Sequence, residues 1–331
     1  MGQTGQRNAI TDIDGLLVGN AIDEGVVTGT TVILADTPVT AAVSVAGGGP
    51  GTRETDLLKA GMLVQKVDAV VLSGGSAYGL AAADGVVGEL GARGRGFGLM
   101  DLPGVPRTPI VPAAILYDLA NGGDKTWGSE PSYNALGRAA LANAGQDFEL
   151  GRAGAGYGAR AGKLPGGLGS ASWQTDDGFM VGALVAVNCF GATQMPGTDC
   201  FWAWPYEVDG EFGGARPPAD YSVGPEDWGA AKVNPAPGEN TTIACVATNA
   251  RLTASEAQRV ADMALAGLAR AIRPVFAPVD GDTVFVLATG RGPEREMDAL
   301  TLSRLGELAA GCLARAVARG VWLAGKTAIG V

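Results

Sequence analysis

The sequence predicts a layered α/β protein, and three observations carry that expectation. The strand-like runs, such as residues 180–187 and 241–249, are apolar nearly throughout, which suits strands covered on both faces. In the second half these runs alternate with long helical segments, a pattern that asks for helices packed on sheets. Glycine is abundant, with 53 in 331 residues, and has no collagen-like period, so tight turns and close-packed layers are expected rather than disorder. Two sheets face to face inside two helical layers would suit this content. A parallel doubly-wound order is the alternative.

Composition narrows the function classes. A hydrophobic share of 47% with 18% charged residues is ample for a large core, in one big domain or two moderate ones. The net charge of −10 without a basic cluster argues against nucleic acid and against an anionic membrane surface. The first residues lack a signal peptide's apolar core, and no uninterrupted apolar run reaches ~18 residues, so a cytoplasmic protein is expected. The four cysteines, Cys189, Cys200, Cys245 and Cys312, show no metal-like spacing, and three sit in apolar runs. The chain contains no histidine. That removes Ser-His-Asp and Cys-His catalysis and His-ligated zinc together. With no Cys pair and no third partner for the acidic pair at 280 and 282, neither metal nor cofactor is expected. The base of a hydrolase here must be an amine, a carboxylate or a lysine.

Taken in order, residues 11–20 read as a turn and a short strand. Residues 26–34 and 39–46 read as a hairpin-like pair around Asp36-Thr37-Pro38. Residues 47–52 form a glycine loop without Walker or dinucleotide spacing, with Thr52 placed to cap a short helix over 53–60. A strand over 68–72 turns through Ser73-Gly74-Gly75-Ser76 into a small-residue helix over 77–92, again off the Rossmann spacing. Tyr117-Asp118 ends an apolar run from 111, and a helix spans 133–144. The glycine-rich stretch 151–158 leads to Gly162-Lys163, and a buried strand over 180–187 delivers Asn188. A lysine in such a loop is ordinarily a solvated charge, and an Asn after a strand a turn residue. Thr253-Ala254-Ser255-Glu256 is a capping box opening an amphipathic helix to about 272, stopped by Arg273-Pro274. Asp280 and Asp282 precede a strand over 283–288, as two carboxylates facing one pocket or as a solvated turn. A last helix runs over 297–318.

The stretch 237–249 switches from a Pro/Gly/acidic loop, beginning near residue 205, into a β-branched run. Asn240-Thr241 at that switch fits an ordinary capped turn. It also fits an N-terminal nucleophile: the Thr241 hydroxyl attacks the Asn240 carbonyl, an ester forms, and water frees a new N-terminus. That amine, with a pKa near 8 (~7.7–8.0), then serves as base for its own hydroxyl.

Together Gly49-Pro50-Gly51-Thr52-Arg53-Glu54-Thr55-Asp56, Ser73-Gly74-Gly75-Ser76-Ala77-Tyr78-Gly79-Leu80, Gly151-Arg152-Ala153-Gly154-Ala155-Gly156 and Asn240-Thr241-Thr242-Ile243 resemble the DmpA-type self-cleaving aminopeptidase family. Within it, the chain is most similar to the nylon-oligomer (6-aminohexanoate-oligomer) endohydrolase branch. The likeness runs from about residue 10 to 288. It implies a four-layer αββα sandwich, self-cleavage into 1–240 and 241–331, and large/small chain pairs assembled into a tetramer. It further implies Thr241 as nucleophile and Lys163 beside it, setting its protonation or binding the reacting carbonyl. Asn188 is the implied oxyanion donor, worth ~2.7–4 kcal/mol. Tyr117 would contact the scissile amide, and Asp280 and Asp282 would orient Thr241.

Two positions depart from the family pattern. Asn240-Thr241 stands where the aminopeptidase branch has Gly-Ser, and Val18-Gly19-Asn20 where a His is common. The expected activity is hydrolysis of linear amides, 6-aminohexanoate oligomers among them, through a Thr241 acyl-enzyme. The alternatives are an aminopeptidase for small N-terminal or β-amino acid residues, an acyltransferase with the same nucleophile, and a non-catalytic protein of this fold.

Overall fold

The structure, a computed structural model, describes residues 2–100, 102–232 and 240–326. The lead into the Asn240-Thr241 bond, residues 237–239, lies outside the described residues. Strand β1 (Leu16–Asp23) pairs antiparallel with β2 (Thr28–Val45). After β2 come β3 (Thr52–Arg53), β4 (Lys66–Ser73), helix α1 (Ala81–Ala92), β5 (Ala113–Ile115) and α2 (Tyr133–Ala142). A two-residue hairpin follows, β6 (Arg160–Ala161) and β7 (Leu164–Pro165), and then β8 (Gly167–Gln174) and β9 (Met180–Asn188). The C-terminal part contributes β10 (Thr241–Thr248), α3 (Ala254–Ala271), β11 (Thr283–Ala288) and α4 (Ala299–Lys326).

The four expected layers are present. Helices α1 and α2 cover one outer face, packing Val86, Leu90, Leu136 and Leu141 on Val32, Ala69 and Val71. Helices α3 and α4 cover the other, packing Val260, Leu268, Leu313 and Val317 on Val181, Val185, Val246 and Val286. Between the strand layers lies a third core of Ile33, Val70, Leu72, Leu184, Ile243, Phe285 and Leu287, drawn from both halves of the chain. The strand layers are nevertheless one hydrogen-bonded sheet, ordered β3-β5-β4-β2-β11-β10-β9-β8 with β1 on β2.

The hinge between the layers is β2, and here the hairpin expected around Asp36-Thr37-Pro38 is corrected. The chain does not turn back. It continues as one 18-residue strand, with β4 shifting register between Leu34 and Val39. Pro38 has no N–H for a ladder, so it is accommodated where the pairing is interrupted, in an exposed bulge. The first half of β2 pairs with β1, and its second half pairs with β11. The short helix expected over 53–60 is likewise replaced. Thr52 and Arg53 pair with β5, and only a 3₁₀ turn at Asp56–Leu58 follows, without a side-chain cap.

The capping box at Thr253 is realised: its hydroxyl accepts from the Glu256 N–H while the Glu256 carboxylate accepts from the Thr253 N–H. Helix α4 runs eight residues past its expected end and is long and apolar enough to cross a membrane. Counting uninterrupted apolar residues overlooks this, because Arg315 and Arg319 break the run. Most of that window is buried against β8, β9 and α3, as a core helix requires. Buried Arg315 is neutralised by Glu211, its Nε donating at 2.5 Å and its Nη2 at 3.0 Å.

Candidate active site

Topology gathers the candidate residues at one end of the sheet. Strands β10 and β11 are parallel neighbours, so Thr241 and the Asp280–Asp282 turn enter from the same side. Strand β9 runs antiparallel to β10, which places its last residue, Asn188, opposite Thr241. Asn188 in turn donates from its side-chain amide to the Tyr117 carbonyl just beyond β5, at 2.9 Å. Four of the predicted positions thus converge because two strands begin and one ends at the same level.

The Asn240–Thr241 peptide is fully enclosed. The Asn240 carbonyl accepts a hydrogen bond from the Thr241 hydroxyl and a second from the Gly281 N–H at 3.1 Å. The nucleophile candidate is therefore hydrogen-bonded to the oxygen of the carbonyl it would attack, and a backbone N–H already polarises that oxygen. The Asn240 side chain is buried, and neither its oxygen nor its nitrogen has a hydrogen-bond partner among the described residues.

Both aspartates are buried. The Asp282 carboxylate accepts from the N–H of Thr242 at 2.8 Å and of Phe276 at 3.1 Å. Phe276 holds a left-handed backbone with φ of 57°, a conformation a bulky residue keeps only where its surroundings demand it. Burial pushes the Asp282 carboxyl up to about 7, with the neighbouring Asp280 charge adding to the rise. Asp280 accepts from the Phe190 N–H at 3.1 Å through one oxygen, and its other oxygen is buried without a partner among the described residues. Burial raises the Asp280 carboxyl too, opposed by that N–H and by the Lys232 charge.

The glycine loop read over residues 47–52 forms the roof of this turn. Gly49 donates to the Asp280 carbonyl at 2.7 Å, and a Cβ on Gly47 would fall 2.3 Å from that same oxygen. Only glycine permits that approach.

Lys163, Asn188 and Tyr117 complete the predicted set. Lys163 is exposed at the tip of the β6–β7 hairpin, and among the described residues its amine has no hydrogen-bond or ion-pair partner. Its hairpin is nonetheless anchored nearby, with the Gly162 N–H on the Cys189 carbonyl at 3.0 Å. The Asn188 side chain is engaged on two sides, donating to Tyr117 and accepting from the Arg160 N–H at 2.9 Å. Tyr117 is half-buried, and what ties it to the site is its carbonyl.

Sequence reasoning missed Gly281, Phe190 and Lys232. Lys232 donates to the Asn188 carbonyl at 3.2 Å and is the cation whose charge reaches Asp280. No signal in the sequence marks a lone lysine beside an irregular loop. A glycine between two candidate carboxylates was a signal. Among the described residues no group of three or more His, Cys, Asp or Glu could hold a metal.

Comparison with known proteins identifies the family and the fold. The profile of peptidase family S58 matches residues 8–330. An uncharacterized aminopeptidase of Mycobacterium tuberculosis is 41% identical over 95% of this chain and 93% of its own length. A 6-aminohexanoate-oligomer endohydrolase of a Kocuria species is 31% identical over 86% of this chain and 76% of its own. Among solved structures, a β-aminopeptidase from a Burkholderia species superposes with a TM-score of 0.70 at 23% identity, covering 97% of this chain and 88% of the other. The L-aminopeptidase D-Ala-esterase/amidase of Ochrobactrum anthropi, an Ntn-hydrolase fold variant, gives 0.69 at 23% identity over 97% and 87%. These two likenesses establish the fold. Given a family match across nearly the whole sequence and relatives of this identity, the protein belongs to peptidase family S58 and is a hydrolase acting on amide bonds.

Proposed function

We propose that the chain is a self-processing amidohydrolase whose nucleophile is Thr241, released as an N-terminus by cleavage of its bond to Asn240. The observation that carries this reading is the enclosed carbonyl of Asn240, held between the Thr241 hydroxyl and the Gly281 N–H. In the first step Thr241 Oγ1 attacks the Asn240 carbonyl carbon, and its proton passes to a buried carboxylate of the Asp280–Asp282 turn. The negative charge that develops on the carbonyl oxygen meets a donor already in place, so little reorganisation is needed. The C–N bond then breaks, the Thr241 nitrogen takes up a proton, and an ester links Asn240 to Thr241 Oγ1. Water hydrolyses the ester. The buried Asn240 side-chain amide, which has no hydrogen-bond partner among the described residues, favours release of this bond, since an unpaired buried amide costs about 1–3 kcal/mol.

In the mature enzyme the free amine of Thr241 serves as base for its hydroxyl, between two acids that hold it when protonated. A substrate amide carbonyl then occupies the place Asn240 leaves. Asn188 is the proposed oxyanion donor there, and Tyr117 positions it through the carbonyl it offers. The substrate class proposed is linear amides, including 6-aminohexanoate oligomers. A second reading, removal of small or β-amino N-terminal residues, is favoured by the 41% identity to relatives described as aminopeptidases. We further propose a cytoplasmic homotetramer of large/small chain pairs.

Intact mass of freshly purified protein tests the reading. Cleavage before Thr241 gives residues 1–240 and 241–331, about 24 and 9 kDa by share of the 33.3 kDa chain. Thr241→Ala is expected to stay whole and inactive. A wild type that stays whole while hydrolysing amides would remove the free amine as base.

A further inference from the structure

Beside Asn188 lies a cationic pair that the mechanism above does not use. Arg152 follows the turn at Gly151, where the chain bridges to Leu168 on β8, and is half-buried. Its guanidinium lies 5.2 Å from the centre of the Tyr157 ring. Its Nε is shielded from solvent and, among the described residues, has no hydrogen-bond partner. Arg160 carries the second charge. Its side chain is exposed, its own N–H is fixed on Asn188 at 2.9 Å, and its charge acts on Arg152. Tyr157 and Arg160 act on Arg152 electrostatically, and among the described residues no carboxylate forms an ion pair with it.

A half-buried guanidinium with no acid paired to it among the described residues is unusual, and more so in a chain of net charge −10. Elsewhere in this protein a buried guanidinium is matched: Arg315 meets Glu211 through two nitrogens. Guanidinium groups favour planar two-oxygen anions because their N–H groups form a fork of matching width. The Tyr157 ring supports the guanidinium through its π face, a contact that takes up none of its N–H donors.

Resting on the amidohydrolase reading above, we infer that Arg152 and Arg160 form a carboxylate subsite. It binds the C-terminal carboxylate of a linear amino-acid oligomer, on the leaving-group side of the bond cleaved. The site would select short oligomers ending in a free acid over neutral amides, and would hold the substrate chain across Asn188.

The test compares two substrates that share one scissile bond, the dimer of 6-aminohexanoate and its C-terminal carboxamide, in wild type, Arg152→Gln and Arg160→Gln. For wild type the acid should be favoured about tenfold or more in kcat/KM, mainly through KM, as uniform binding requires. In each variant the ratio should fall toward one. Arg160, being exposed, keeps the test open should Arg152→Gln fail to fold. Equal rates on both substrates in the wild type, or a preference that survives both substitutions, overturns the subsite. A wild type that cleaves neither substrate refutes the reaction instead. Calorimetric titration with N-acetyl-6-aminohexanoate then decides the subsite alone: binding that Arg160→Gln abolishes supports it, and no binding to wild type overturns it.

Discussion

The Gly281 Cα sits so close to Thr241 that a Cβ there would lie 2.8 Å from Thr241 Oγ1 and 2.6 Å from the Gly49 carbonyl. Gly281→Ala should therefore displace both the N–H that polarises the Asn240 carbonyl and the hydroxyl that attacks it. Misplacement on the scale of an ångström costs about a hundredfold in rate. A time course of chain cleavage by mass spectrometry would register that slowing, while unchanged kinetics would mean the Gly281 N–H is not used. Legibility at this scale was uneven. A strand boundary marked Thr241, Asn188, Asp280 and Asp282, which the fold brings together, but only the family resemblance gave the last three a role. Lys232 and the Phe190 N–H were not marked, since their roles come from residues far apart in sequence meeting at the ends of strands. Lys163, which follows the glycine-rich stretch and whose role came from the resemblance, has an exposed side chain in the folded chain.

Elements were most legible where local chemistry decided them. The capping box opened α3 at the expected residue, and the run after Asp282 began β11 where its first β-branched residue stands. Elements failed where a long-range partner decided. Asp36-Thr37-Pro38 carries turn chemistry, yet β11 and β4 hold the second half of β2 in the sheet, and the turn becomes a bulge. The two kinds of stabilisation predict different mutational responses. Thr253→Ala removes an exposed cap and should destabilise by about 1 kcal/mol without changing chain cleavage. Arg315→Met leaves the buried Glu211 carboxylate with the Asn8 amide at 2.7 Å and, as its cation, only the longer Arg319 contact at 3.4 Å, and should destabilise by about 3 kcal/mol. Urea denaturation of both variants would rank them, and a reversed order would contradict the account of α4 as a core helix.

For the whole molecule, three buried acids set the pH response. Burial raises Asp118 to about 6 and Asp282 to about 7, and Asp280 moves the same way. A carboxyl whose folded pKa lies above its unfolded value makes its full contribution to stability below the unfolded value, near 3.8. It loses that contribution as pH rises through the folded value. These groups should therefore lower the melting temperature between pH 4 and about 7, and Asp282→Asn should flatten the upper part of that decline while abolishing chain cleavage. Conversely, if ionised Asp282 accepts the Thr241 proton, wild-type chain cleavage should accelerate through pH 7. Melting curves that are level from pH 4 to 7 would contradict the burial of these acids. The central position of β10 and β11, between β2 and β9, has a further consequence for a cleaved chain. The fragment 241–331 would not be a lobe that can depart but the middle of a shared sheet, interlocked with the larger piece along both of its outer strand edges. Unfolding would then release two molecules from one. The melting temperature of cleaved protein should rise more steeply with concentration than that of intact Thr241→Ala, which can lose only its subunit contacts on unfolding. Recovery after heating should be second order in fragments, so dilution would turn a reversible transition into an irreversible one.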